Sequence, residues 1–382
     1  MKVLLNQYLK NYNTIRIGGK VRWMFFPVNA SEIIEATKFS WNNKTPFFIL
    51  AGGSNTVFED VGMNSRQVVI NLAEMDNLEV NNINQNCSKN KVCHPELVSG
   101  SKKLGISKAT PSATLPPLLK KGESSIICFA QDLQIKFLRI ETDPGVLLQK
   151  IVDCALENTA GGMVGLNRVP GTIGGAVVGN AGAYGCETMS FVENVEYIDL
   201  DEIIKQPNWV NIHTLRNKDC HFGYRDSIFK HNKNLLITNI HLKIPIDIDI
   251  NQAISKYNEI AIKRDKIYPK GFASPGSLFK NILFDSLSPE VQKNIDPSWV
   301  MYGNKLPVGK LLESLGLQGF THGKIQMRPT HANIMTNLGG ATYRDAKETV
   351  EILQAKVKER FGIDIEPEVR FIDGDFAKFW RR

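Results

Sequence analysis

The sequence predicts an α+β protein of two or three domains, and three features carry that expectation. The stretch from Val192 to Ile246 is rich in strand-like runs, the chain after Ile246 turns helical, and two glycine-rich loops lie upstream. With 382 residues, 42% of them hydrophobic and 22% charged, the chain has ample apolar surface for that many cores.

In chain order, Phe47 to Ala51 is a short buried-strand run that ends in Gly52-Gly53-Ser54-Asn55, and Val68 to Leu72 is another strand. Leu147 to Leu156 reads as a helix with Leu147, Leu148, Ile151, Val152 and Ala155 on one face. Val195–Ile198 and Leu235–Thr238 are strand-like. Three helical segments follow, Gln252 to Ile262, Val308 to Leu315 and Thr342 to Phe361. The last has the fullest set of local signals. Thr342 and Asp345 fit a capping box, Ala346, Val350, Leu353, Val357 and Phe361 form an apolar stripe, and Gly362 stops the helix. A strand is expected over Ile363 to Ile372, and a domain boundary near Pro245 to Ile250.

Composition excludes several classes. No apolar run approaches the length that crosses a bilayer, and Asn6, Gln7 and Lys10 interrupt any signal-type core, so the cytoplasm is the expected location. The six cysteines contain no C-x-x-C pair, which points to neither a disulfide framework nor a metal site. The net charge of +7 is local: residues 85–125 hold seven lysines against two glutamates. That segment, broken by Pro95, Pro111, Pro116 and Pro117, reads as an insertion, and no nucleic-acid partner is expected.

Chemistry-bearing residues cluster in a few places. Gly52-Gly53-Ser54-Asn55-Thr56 follows a strand, where backbone N–H groups approach a diphosphate; a plain tight turn is an equally good reading. Pro170-Gly171-Thr172-Ile173-Gly174-Gly175-Ala176 and Asn180-Ala181-Gly182-Ala183-Tyr184-Gly185 offer small residues for close approach to an extended ligand. The dinucleotide fingerprint of a NAD-type Rossmann domain is absent. Glu366, Glu368 and Arg370 alternate with Ile365, Pro367, Val369 and Phe371, which puts two carboxylates and a guanidinium on one strand face; an outer solvated face gives the same pattern. Tyr224-Arg225-Asp226 and Pro275-Gly276-Ser277 are ambiguous in the same way, as a surface ion pair and an ordinary turn.

In this order, from Asn13-Thr14 and Gly18-Gly19 through Tyr224-Arg225-Asp226-Ser227-Ile228-Phe229 and Gly276-Ser277-Leu278-Phe279-Lys280-Asn281 to Glu366–Phe371, these motifs resemble the UDP-N-acetylenolpyruvoylglucosamine reductases. The resemblance runs from about Asn13 to Ile372 outside the lysine-rich insertion. It implies a two-part FAD-binding module of the vanillyl-alcohol-oxidase (PCMH) type at 1–72 and 73–247, followed by a smaller α+β substrate domain at 248–375. It further implies bound FAD, NADPH as cosubstrate and a UDP-sugar enol ether as substrate, in a chain expected to be a monomer without membrane partner.

FAD is then expected on Gly52, Gly53, Ser54, Asn55, Thr56, Pro170, Gly171, Thr172, Gly174, Gly175, Ala176, Asn180, Gly182, Ala183, Tyr184 and Gly185. The resemblance implies that hydride passes from flavin N5 to the enolpyruvyl β-carbon, that Ser277 supplies the proton, and that Arg225 and Glu368 stabilise the enolate. Glu368 is expected to be protonated, with Glu366 adding repulsion. Tyr224, Lys266, Lys280 and Asn281 match substrate contacts. The short link from Ile246 to Asn281 matches members that lack an extra tyrosine-bearing loop, and Pro275 and the insertion depart from the family pattern. A different flavin oxidoreductase of this fold, or an inactive UDP-sugar binder, are the competing readings.

Overall fold

A computed structural model describes residues 1–60, 67–82, 137–205, 211–246, 249–269, 271–301 and 303–373; the lysine-rich insertion at 85–125 lies outside them. The chain begins with β1 (Lys2–Tyr8), β2 (Lys20–Phe26), helix α1 (Ala30–Asn42), β3 (Phe47–Leu50), β4 (Thr56–Phe58) and β5 (Val68–Asn71). Four of these strands form one sheet in the order β1-β2-β5-β3. β5 is buried along its whole length, as a central strand paired in parallel on both sides must be.

The middle of the chain builds a five-stranded antiparallel sheet in the order β11-β10-β12-β7-β6. Its members are β6 (Leu78–Asn82), β7 (Phe137–Thr142), β10 (Val192–Asp199), β11 (His213–Arg216) and β12 (Leu235–Pro245). Helix α2 (Leu148–Glu157) packs Leu148, Ile151, Val152 and Ala155 into the core beneath this sheet. The short helix α3 (Ile173–Val178), the ribbon of β8 (Gly182–Ala183) and β9 (Cys186–Glu187), and helices α4 (Leu200–Lys205) and α5 (Ile228–His231) complete this region. The expected β-rich segment is borne out.

Helix α6 runs from Ile250 to Ile267, longer than expected, and buries only Ile260. It is held against the middle region by polar contacts instead. The Tyr257 hydroxyl donates to Asp153 at 2.7 Å, and Asn167 Nδ2 donates to the Tyr257 carbonyl at 2.8 Å. Burial and the Asp153 carboxylate push the Tyr257 hydroxyl well above its usual range.

The C-terminal core takes Leu278 and Phe279, then β13 (Ile282–Leu283), α7 (Pro289–Lys293), β14 (Lys305–Leu306) and α8 (Val308–Ser314). The antiparallel strands β15 (Thr321–His322), β16 (Ile325–Arg328) and β17 (His331–Asn337) follow, then α9 (Tyr343–Phe361). α9 has the expected capping box of Thr342 and Asp345, its five stripe residues are buried, and Gly362 closes it at φ +71°. Ile15, Ile17 and Val57 from the N-terminal region also enter this core.

One expectation is corrected. The strand expected over Ile363–Ile372 shrinks to β18 (Arg370–Ile372), which pairs in parallel with β4. Pro367 has no N–H for a ladder. The preceding residues lie instead along the Ser277 segment, with Lys280 N donating to the Glu366 carbonyl and Glu368 N to the Leu278 carbonyl.

Candidate active site

Two loops meet backbone to backbone at the join of the first two regions. A Cβ on Gly52 would lie 2.8 Å from Gly171 Cα, so neither loop tolerates a side chain there. Gly53 takes φ +60°, and Ser54 Oγ donates to the Pro170 carbonyl at 3.2 Å. Among the described residues, the N–H groups of Gly52, Gly53, Ser54 and Asn55 have no hydrogen-bond partner. Such a turn of unpaired amides is an anion seat. The start of α3 is different: Ile173 N donates to the Val146 carbonyl, Gly174 N to the Pro144 carbonyl, and Thr172 accepts from Gly175 N. The diphosphate signal therefore belongs to the first loop, and the second supplies a small-residue wall.

A cavity of about 390 Å³ opens over both loops. Of the residues expected to hold FAD, it is lined by Gly52, Gly53, Ser54, Asn55, Thr56, Pro170, Gly171, Thr172, Gly174, Gly175, Ala176, Gly182 and Ala183. Asn180, Tyr184 and Gly185 are not among the lining residues. Asn180 is fully buried and works as a clamp, donating to the Gly223 carbonyl and accepting from Met189 N. Tyr184 and Gly185 form the β8–β9 turn with φ +49° and +76°.

Ser277, Arg225 and Glu368 all line this one cavity, although they come from three distant segments. Gly276 at φ +91° turns the chain at Ser277. Asn333 on β17 pins the next residues by accepting from Phe279 N and donating to the Phe279 carbonyl, both at 2.9 Å. Arg225 sits in the left-handed region at φ +56° inside a turn closed by Gly223 and Asp226. Its Nε donates to Glu368 at 2.7 Å and its Nη2 to the Gly182 carbonyl at 2.6 Å.

Glu368 thus stands in an ion pair with Arg225, while Glu366 points outward and is paired with Lys280.

The four expected substrate contacts are not brought to the cavity wall. Tyr224 lies under the Lys305 ammonium, 4.1 Å from the ring centre, and receives the Asn281 N–H at its hydroxyl, which burial raises above its ordinary pKa. Lys280 is taken by Glu366. Lys266 is exposed on α6, whereas Arg264 and Tyr268 from the same helix end line the cavity. Sequence reasoning also missed Lys230 and Lys233, and it singled out Arg370 without giving it a role. Signals were present: Lys230 continues Ser227-Ile228-Phe229, and Arg264 stands two residues before Lys266.

The electrostatics point one way. Arg225, Lys230, Lys233, Arg264 and Arg370 line the cavity, against the single carboxylate of Glu368. Desolvation holds Lys230, Lys233 and Arg370 below their ordinary values. Arg370 is solvent-accessible, yet enough protein rings it for that loss of hydration to count. An anionic ligand relieves this crowding.

Residues 268–372 match the family model described as UDP-N-acetylenolpyruvoylglucosamine reductase, C-terminal domain. The chain is 31% identical over 248 residues to the UDP-N-acetylenolpyruvoylglucosamine reductase of Solibacter usitatus, covering 65% of this chain and 76% of that one. It is 26% identical over 371 residues to the protein of that name from Caldanaerobacter subterraneus, covering 97% and 94%. Among solved structures, a UDP-N-acetylenolpyruvylglucosamine reductase from Thermus caldophilus shares the fold with a TM-score of 0.59 at 22% identity, covering 97% of this chain and 98% of that one.

Proposed function

Because the chain belongs to the UDP-N-acetylenolpyruvoylglucosamine reductase family, we propose that it reduces UDP-N-acetylglucosamine enolpyruvate to UDP-N-acetylmuramate with FAD and NADPH, a step of peptidoglycan precursor synthesis. The convergence of Ser277, Arg225 and Glu368 on one cationic cavity carries this reading. We assign the protein to the cytoplasm, as a monomer; no described helix is long and apolar enough to cross a membrane. The division at 1–72, 73–247 and 248–375 is part of the same proposal.

The residues present fit a dinucleotide. The unpaired amides of Gly52–Asn55 suit its diphosphate, and Gly171, Gly174, Gly175, Ala176, Gly182 and Ala183 leave room for its body. When bound, FAD supplies hydride drawn from NADPH to the enolpyruvyl β-carbon. The protein's own part is to hold the substrate carboxylate, stabilise the charge that grows on it, and deliver a proton.

Arg225 serves the first two tasks. Its planar fork is fixed on one edge by Glu368 and the Gly182 carbonyl, so it meets an incoming carboxylate without reorganising. Glu368 orients this guanidinium and, as the substrate carboxylate engages it, stands beside the developing enolate. Ser277 donates its hydroxyl proton to the α-carbon carbanion and recovers one from solvent. A serine is a weak acid, so the transfer depends on position. Its hydroxyl has no partner among the described residues, and Asn333 fixes the backbone that aims it.

The test is Ser277→Ala in stopped flow. Bleaching of the flavin by NADPH should proceed at the wild-type rate, while reoxidation by the enolpyruvyl sugar should be abolished. Equal loss in both half-reactions would remove Ser277 from the chemistry, and absence of sugar-dependent NADPH oxidation in the wild type would sink the function.

A further inference from the structure

Arg225–Glu368 and Lys305–Glu187 are both ion pairs that join the middle region to the C-terminal core. The first is drawn on in the reaction: once the substrate carboxylate engages Arg225, the guanidinium is shared between that carboxylate and Glu368. The second lies beside it. Glu187 on β9 sits opposite Gly182, whose carbonyl takes Arg225 Nη2, and its carboxylate accepts from Asn180 Nδ2 at 3.2 Å. Lys305 on β14 is paired with Leu283, two residues past Asn281. Its ammonium stands 3.8 Å from Glu187 and 4.1 Å from the ring centre of Tyr224. Tyr224 precedes Arg225 in the turn, and the Arg225 guanidinium lies over the same ring at 5.3 Å. The Tyr224 hydroxyl receives the Asn281 N–H. Neither Glu187 nor Lys305 is among the residues that line the cavity.

We propose that Lys305 and Glu187 are positioning residues for the reduction, a clasp that holds Tyr224 and thereby the turn that presents Arg225 to the substrate carboxylate. Arg225 is in the left-handed region, a conformation that a non-glycine residue keeps only where its surroundings hold it. The Lys305 and Glu187 side chains are only 28% and 32% exposed, and a cation over a ring attracts it more strongly when sheltered from water. Because the clasp touches no reacting atom, it stays closed while Arg225 divides its donors between Glu368 and the substrate. The proposal rests on the reductase reading for its reaction.

The experiment follows both half-reactions of the FAD-loaded full chain by stopped flow. It compares the wild type, Lys305→Met, Lys305→Arg, and Lys305→Met combined with Arg225→Lys. Methionine keeps the stem and removes the charge, so reoxidation by saturating enolpyruvyl sugar should slow about 5- to 30-fold. Flavin bleaching by NADPH should keep the wild-type rate, and arginine at 305 should restore most of the loss. In the double variant the losses should not multiply, since Lys305 acts through Arg225. Multiplying losses overturn the proposal, because Lys305 would then act on its own. Unchanged reoxidation in Lys305→Met, or equal slowing of both half-reactions, overturns it too. If Lys305→Met loses its flavin or its near-ultraviolet circular dichroism, Glu187→Gln decides: it should slow reoxidation alone, and a wild-type rate there overturns the clasp. A wild type whose flavin is not reoxidised by the sugar would instead refute the reductase reading.

Discussion

Replacing Arg225 with lysine keeps the charge and removes the fork. In the structure the guanidinium spans Glu368, 2.7 Å from Nε, and the Gly182 carbonyl, 2.6 Å from Nη2, with a third, marginal approach of 3.5 Å to the Asn180 carbonyl. One ammonium cannot hold both short contacts and still present two parallel donors to a substrate carboxylate. The transition state then loses a preorganised donor, worth about 3–4 kcal/mol, or roughly 10²- to 10³-fold in rate. The fold should hardly notice, because the ion pair is about one-fifth exposed and lysine keeps one partner. Stopped-flow absorbance separates the steps. Flavin bleaching by NADPH should remain within a few-fold of wild type, and reoxidation by the enolpyruvyl sugar should slow by the stated factor. A loss smaller than about 5-fold, or equal losses in both steps, would show that the fork is not used on the substrate carboxylate.

Two further outcomes bear on the scaffold. Asn333→Leu removes both side-chain bonds to Phe279 and leaves a buried N–H and carbonyl unpaired, so urea unfolding should show about 2–4 kcal/mol less stability, with reoxidation slowed more than flavin bleaching; unchanged kinetics would mean that Asn333 does not aim Ser277. At alkaline pH the protein should weaken. Burial raises the Cys186 thiol from 9.0 to about 11, Cys220 from 9.0 to about 12, and the Tyr343 hydroxyl from 10.0 to about 12. The folded state keeps these groups neutral, so their contribution is complete below about pH 9 and is lost as the pH rises towards about 12. A denaturation midpoint that stays level from pH 8 to 11 would contradict this.

Local signals were legible where the neighbours that matter are close in sequence. Thr342, Asp345 and Gly362 specify both ends of α9, and the glycine loops reveal themselves because only glycine permits the approach of Gly52 to Gly171. The convergence of Ser277, Arg225 and Glu368 on one cavity was legible through the order of their motifs. Which residues of α6 face the cavity was not. That depends on the rotation of the helix, fixed by Tyr257 on Asp153 and by Arg264 Nε on the Arg168 carbonyl, both about a hundred residues away. Lys266 and Arg264 are both cations, and nothing in their spacing says that Arg264 turns inward. The ion pair of Glu368 was hidden for the same reason, since its partner Arg225 is 143 positions distant.

Backbone bonds join the parts of this site that must stay in register. The Ser277 segment is bonded to Glu366–Glu368 through Lys280 N and Glu368 N, and that segment is bonded in turn to Asn55 through Arg370 N. The serine, the glutamate and the glycine loop therefore move as one unit. Arg225 joins it from outside, through Glu368 alone among these residues. Sliding the last strand by one residue would put Val369, now buried, where Glu368 stands, and would strip Arg225 of its partner. Pro367 opposes such a slip, because its position in the ladder is the one that gives no N–H: the bonds on either side come from the Glu366 carbonyl and Glu368 N. The same residue that shortens the strand thus fixes which side chains reach the cavity.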